Sequence, residues 1–310
     1  MTTDRPSTRR PPRRRAARRA LAGTLAVLLV VVALLALAVW AITRVLSAGG
    51  PEPIAESCTA TVDTSTWRLS PVQSDNAALI ASMSVRRGLP ARAATIALAT
   101  AIQESGLVNL DHGDRDSVGL FQQRTSQGWG TVEQIMDPVF STGAFFDALV
   151  KVDGFAEMPV TEAAQAVQRS AFPDAYAAHE DAARAFASAL TGWSPAALSC
   201  TLAPAQAAGV ADDVLARIAR DLGELPATAT PADAEAGTPA LVVLDASALA
   251  PDDAVRGAWA AGAWAVAVAH TLGLDAVAVA DQTWVRGTDG WHPTTGTPLP
   301  VGTVQLTLAG

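Results

Sequence analysis

The chain has 310 residues, 50% of them hydrophobic, with 22 basic and 30 acidic side chains and a net charge of -8. The charge is unevenly spread. The first 20 residues hold eight arginines against Asp4 alone, and Arg44 is the ninth base. From Pro51 onward 13 basic residues face 29 acidic ones, a net of -16. A body that acidic repels phosphate, so nucleic acid is excluded as a partner, and the length allows two modest domains at most.

Leu21 to Ile42 is an apolar run of 22 residues without a charge, long enough at 1.5 Å per residue to cross a hydrocarbon core of ~30 Å. Arginines on its N-terminal side predict a single pass with the N-terminus cytoplasmic and the body extracytoplasmic. This gives a basic tail over 1–20, a transmembrane helix over 21–43 and a Gly/Pro-rich linker over 44–57, with the cytoplasmic membrane as a partner. A cleaved signal peptide is the competing reading, but its apolar region is shorter, about 7–15 residues, and no A-x-A site follows. Arg18-Arg19 alone is a weak twin-arginine signal.

Only two cysteines exist, Cys58 and Cys200, both in the part expected outside. In an oxidising compartment such a pair is expected to be bridged. With four scattered histidines they offer no zinc-ligand spacing, and no metal is expected.

Within the body, apolar spacing predicts a helix over Val72–Arg87, broken at Gly88-Leu89-Pro90. A second follows over Ala91–Ser105 and stops at Gly106, a natural C′ residue. Glu104 falls in the last turn, where the helix's partial negative charge favours the protonated carboxyl that a general acid needs. On its own the same residue reads rather as a solvated helix-end acid. Asp111, Asp114 and Asp116 lie in a polar loop whose spacing does not fit an EF-hand; they read as loop acids, one of which could orient a water. Ser117 to Gln122 is expected to be a strand or hairpin arm.

Helices are then predicted over Val132–Met136, Pro138–Val150, Thr161–Ala171, Asp174–Leu190 and Asp212–Leu222. Glu224–Pro239 reads as a Pro/Ala/Thr linker. Strand Ala240–Asp245, helix Asp252–Leu272 and strand Ala276–Ala280 form a βαβ-like signature, with a third strand at Gly302–Leu308. Trp284 and Trp291 flank a hairpin expected at Gly287–Gly290. No glycine-rich phosphate loop or Ser-His-Asp set is present in this part, and no cofactor is expected.

The order Glu104-Ser105 at a helix end, then a loop, then Ser117-Val118-Gly119-Leu120-Phe121-Gln122, resembles the lysozyme-like superfamily, specifically the soluble lytic transglycosylase (SLT) type of domain, over roughly residues 72–190. The resemblance implies that Glu104 is the catalytic acid/base, that Ser117 bonds near it and that Gln122 lines a glycan groove. Ser105, Gly119, Phe121, Gln123 and Tyr176 complete the expected substrate-binding set. Such domains carry a late Tyr-Asn-Ala-Gly-type segment. The comparable place here reads Ala171-Phe172-Pro173-Asp174-Ala175-Tyr176: Tyr176 is the only tyrosine of the chain, and the Asn is missing.

The fold class expected is therefore α+β: a transmembrane helix, a mainly α lysozyme-like domain over 58–200 and a small α/β domain over 201–310. The function implied is a peptidoglycan lytic transglycosylase acting on the β-1,4 bond between N-acetylmuramic acid (MurNAc) and N-acetylglucosamine (GlcNAc). One carboxylic acid suffices for that reaction, because the muramoyl 6-hydroxyl attacks the sugar carbon and loses its proton to the same residue. A lysozyme-type hydrolase using one of the loop aspartates is the first alternative. The second is a non-catalytic glycan-binding scaffold of an envelope assembly, with a protein partner docked through 201–310.

Overall fold

A computed structural model describes residues 28–44, 54–62, 64–170 and 174–310. The basic tail, the start of the apolar run at 21–27 and most of the linker lie outside them. Two units are distinct, residues 1–53 and residues 54–310. In the first, residues 28–44 form a helix, α1, whose apolar side chains from Leu28 to Ile42 are unburied. Among the described residues no helix is long and apolar enough to cross a membrane.

The second unit opens with a feature that the hydrophobic pattern did not give away. Strands β1 (Ser57–Val62) and β2 (Ser65–Leu69) pair antiparallel, and β1 also pairs antiparallel with β5 (Leu198–Thr201). The half expected to be helical apart from the 117–122 arm therefore carries a three-stranded sheet, β2-β1-β5. Cys58 and Cys200 face each other in that register and are disulfide-bonded, as expected of the pair, closing a separation of 142 residues.

The helices between β2 and β5 follow the sequence pattern. Helix α2 (Pro71–Arg86) starts with a capping box: Gln73 N–H donates to Ser70 Oγ, and the Ser70 N–H donates to Gln73 Oε1. Helix α3 (Ala91–Ser105) is buried from Ala93 to Ala101 and ends at Gly106 in the left-handed conformation. Around it pack α5 (Pro138–Leu149), α6 (Val160–Gln168) and α7 (Glu180–Leu190), and the short α4 (Val132–Met136) packs on α5. The expected helix from Asp174 begins as a 3-10 turn over Ala175–His179 before α7 continues.

After Cys200, α8 (Ala211–Asp221) leads to a six-stranded sheet. The expected linker at 224–239 contains an edge strand, β6 (Ala227–Thr230), because its alternating Ala and Thr pair with β7 (Leu241–Asp245). Helix α9 (Ala254–Leu272) connects β7 to β8 (Leu274–Val279), and β9 (Gln282–Val285), β10 (Trp291–Pro293) and β11 (Thr303–Leu308) follow. The sheet order is β10-β9-β8-β11-β7-β6, with every neighbouring pair antiparallel. The βαβ signature is thus a split one. β7 and β8 run the same way, as a crossover helix requires, but the last strand lies between them.

Helix α9 is buried along Gly257–Ala269. It packs on β8 and β11 and also on α2 and α7. At Gly262 the sheet comes so close that a side-chain carbon would collide with the Val279 methyl. The line expected at residue 200/201 runs through this core: residues 54–310 are one compact unit. Polar ties accompany this packing, and those to Asp75, Cys200 and Leu198 cross the same line. The Asp221 carboxylate is wholly buried and accepts from Arg217 Nε at 2.7 Å, Arg220 Nε at 2.6 Å and Trp264 Nε1 at 2.9 Å. Arg217 also pairs with Asp75 of α2, which accepts from Thr271 Oγ1 at 2.8 Å. Trp284 Nε1 donates to Cys200 O at 3.0 Å and Trp291 Nε1 to Leu198 O at 2.8 Å, fastening the β9–β10 hairpin to β5.

Two outcomes are expected. Replacing both Cys58 and Cys200 by Ser lowers the unfolding free energy by up to about 5 kcal/mol, the loop-closure value for so long a loop, read from denaturant midpoints. Arg217→Met leaves Asp75 without a cation and Asp221 with Arg220 and Trp264 alone, and costs about 3–5 kcal/mol, whereas Arg184→Met at the exposed Asp181 pair stays within about 1 kcal/mol by the same measurement.

Candidate functional site

Glu104 comes to the surface where α3 stops. The left-handed Gly106 turns the chain out of the helix, and its N–H bonds back to Ile102 O. Ser105 Oγ donates to Ala101 O at 3.1 Å and to Leu120 O at 2.7 Å, pinning the helix end to the segment that follows the loop. Glu104 is half-buried. Its Oε1 accepts from the hydroxyl of Tyr176 at 2.6 Å, and Tyr176 is wholly buried on the 3-10 turn before α7. Burial and the neighbouring carboxylate push the Tyr176 phenol well above its ordinary value, so it stays protonated and acts as a donor throughout the working pH range.

Facing Glu104 is a very short hairpin. The expected arm Ser117–Gln122 is two residues of strand, β3 (Ser117–Val118), paired with β4 (Gln123–Arg124), and residues 119–122 are the turn between them. Gly119 has φ 81°, and a side-chain carbon there would sit 2.9 Å from Ile135 O, so only glycine fits. Gln122 also takes a left-handed conformation, φ 47°, which is costly for a residue with a side chain. Its amide compensates locally. Oε1 accepts from Ser117 Oγ at 3.1 Å, and Nε2 donates to Gly119 O at 3.2 Å and His112 O at 3.4 Å. Ser117 Oγ also lies 2.6 Å from Asp114 O. The amide thus clamps the aspartate loop to the hairpin.

Glu104, Ser117 and Gln122 line an open groove of about 510 Å³, and α6 supplies its opposite wall through Gln168 and the two residues after it, Arg169 and Ser170. The other expected site residues sit elsewhere. Phe121 is wholly buried and stacked on Phe145 at 4.6 Å. Gln123 is buried and donates through Nε2 to Ser141 O at 3.0 Å. Gly119 and Ser105 shape the turn and the helix end. Tyr176 does not line the groove itself but bonds to two residues that do, Glu104 and Ser170. Residues 171–173, part of the segment compared with the family's Tyr-Asn-Ala-Gly stretch, lie outside the described residues.

The three aspartates separate by environment. Asp116 accepts from the Ser126 N–H at 2.8 Å, Arg124 Nε at 2.7 Å and Ser126 Oγ at 3.0 Å, in that order of effect. These hold its carboxyl far below the ordinary carboxylate range. Asp111 is exposed and kept low by its bond to His112. Asp114 alone of the three lines the groove. The residues that sequence reasoning passed over are Arg115, Arg124, Gln127, Ser170, Gln168 and Arg169. The last two could have been suspected from their place at the C-terminal end of a helix whose apolar face is turned inward.

No protein-family model matches the chain, and no curated protein matches it.

The Glu104–Tyr176 bond is checked by a double-mutant cycle. Tyr176→Phe combined with Glu104→Ala is expected to give a coupling energy in unfolding of about 1–3 kcal/mol, the range for a hydrogen bond to a charged group. A coupling near zero means the two side chains do not meet in solution.

Proposed function

We propose that this protein cleaves peptidoglycan as a lytic transglycosylase, breaking the MurNAc–GlcNAc β-1,4 bond with Glu104 as the single acid/base. The observation that carries this reading is the Glu104 carboxyl on an open polar groove, with one oxygen fixed by the buried Tyr176 hydroxyl. In the first step Glu104 protonates the leaving glycosidic oxygen as positive charge develops on the sugar ring. In the second it takes the proton of the muramoyl 6-hydroxyl as that oxygen attacks C1, giving a 1,6-anhydro end. Tyr176 acts as a positioning residue: by donating to Oε1 it fixes the carboxyl's orientation and stabilises it when charged.

A hydrolase needs a second carboxylate to activate water. Asp116 is fully engaged by Arg124 and Ser126, and Asp111 is not on the groove, so only Asp114 supports a lysozyme-type reaction. The single-acid route fits the groove better. The unburied apolar helix α1, with the arginine-rich tail before it, supports the reading of 21–43 as a single-pass anchor that leaves the body outside the cell.

Digestion of purified sacculi by the full chain in detergent, with product mass spectrometry, tests this. Anhydro-muropeptides are expected, and Glu104→Gln should lower their rate of release by about 10²–10⁴-fold. Reducing-end products sensitive to Asp114→Asn would make the protein a hydrolase. Undiminished cleavage by Glu104→Gln would refute both, and binding without products would leave a glycan-binding scaffold.

A further inference from the structure

The groove at Glu104 does not end with its own walls. A second cavity, about 610 Å³, shares Gln127, Gln168 and Arg169 with it. The two run together past the C-terminal end of α6. The second cavity has an apolar floor, formed by the half-buried Trp129 with Val152 and Ala166, and at its rim stands Lys151, the only lysine of the chain. No acidic residue lines it.

The charge of this path is opposite to that of the protein around it. From Pro51 onward the chain carries 13 basic and 29 acidic residues. Four of those bases, Arg115, Arg124, Lys151 and Arg169, line the two joined cavities, against two acids, Glu104 and Asp114. Arg124 is committed to Asp116 at 2.7 Å, and Arg115 stands 3.8 Å from Asp114. Lys151 and Arg169 have no ion-pair partner among the described residues. Arg169 is held in place by its backbone, which takes the left-handed conformation at φ 51° and closes α6 with an N–H bond to Gln165 O at 2.8 Å. Two uncommitted cations over an apolar floor, in a body that otherwise repels anions, form a receptor for a carboxylate-bearing chain with small side chains.

The geometry points to a subsite in which Lys151 and Arg169 bind the carboxylates of a short acidic peptide branch carried by the glycan, while the glycan itself lies at Glu104. This rests on the reading of Glu104 as the cleaving residue for where the glycan lies; the subsite itself rests on the charge and shape of the second cavity. A neutral β-1,4-linked amino-sugar chain fills the first cavity and leaves the second vacant, so the protein discriminates by branch and not by sugar alone.

The test uses the full chain in detergent micelles, carrying Glu104→Gln so that the ligand survives. Binding is measured to glycan strands with their peptide branches and to the same strands stripped by an amidase, which keep only the lactyl carboxylate on the sugar itself. Lys151→Gln combined with Arg169→Asn, a residue that tolerates the left-handed conformation, removes both charges without breaking the helix end. Two exposed charge contacts correspond to roughly a tenfold loss of affinity for branched strands. The loss on stripped strands is expected to be at least fivefold smaller, and the difference to shrink as salt rises from 50 to 200 mM. Equal losses on both ligands, or none on either, overturn the subsite. Discrimination by branch in a protein that cleaves neither strand as wild type would sink the acid/base assignment while leaving the subsite standing. Cleavage without discrimination would do the reverse.

Discussion

A helix that is apolar on every side has to be covered on every side, and α9 sets that constraint for the whole body. Between Gly257 and Ala269 it has no polar face to offer water. One layer of structure can cover only half of it. The six-stranded sheet takes one side, and α2 and α7 take the other, so the helices that carry the candidate site and the strands that follow them are built on a common spine. The polar ties then follow from this layering. Asp221 is buried beside α9 and is acceptable there only because Arg217, Arg220 and Trp264 all donate to it. Through Arg217 the same network holds Asp75 of α2, and α2 packs against α3, whose last turn presents Glu104.

The site itself is made of chain ends and turns resting on this rigid base. Glu104 lies at a helix terminus, Tyr176 on a 3-10 turn, Gln122 in a left-handed turn and Arg169 at a left-handed helix end. Each of these conformations frees a side chain from the regular packing of a helix or strand and aims it sideways. The cost is met locally. Gln122 recovers three hydrogen bonds through its amide, and Arg169 closes the last turn of α6. A groove built this way holds its groups firmly while leaving one wall, the loop at 111–116, on the surface. Asp116 restrains that wall from below by gripping Arg124 and Ser126.

Much of this was legible in the sequence where the signal is local. The 3.6-residue spacing and the flanking Pro and Gly gave α2, α3, α5 and α9 to within two residues, and Gly106 marked the end of α3. What was not legible depends on distant partners. β1 and β2 are short and hold only one or two large apolar residues each, and they are strands because β5, some 140 residues later, completes them. Ala227–Thr230 looks like linker until β7 is beside it. The motif at 117–122 read as a strand because Val118, Leu120 and Phe121 are apolar. Instead, Gly119 and Gln122 bend it so that Phe121 goes into the core and Gln122 to the groove. Ser105, Gly119, Phe121 and Gln123 belong to the motif for the shape they impose. The cations of the groove carry no motif at all, since Arg124, Lys151 and Arg169 meet only in space.

The position of β11 has a consequence for how the protein is made. It pairs with β8 on one side and β7 on the other, at the middle of a sheet whose remaining strands all precede it in the chain. Without residues 303–308 the sheet is two separate ribbons, β6–β7 and β8–β9–β10. Each has a bare inner edge of unpaired N–H and C=O groups, and α9, whose surface needs that sheet, has only one of its two coverings. The sheet closes by insertion of one strand into a slot, which makes its assembly all-or-none. Until that strand is in place, those two edges are open to whatever other extended chain is nearby.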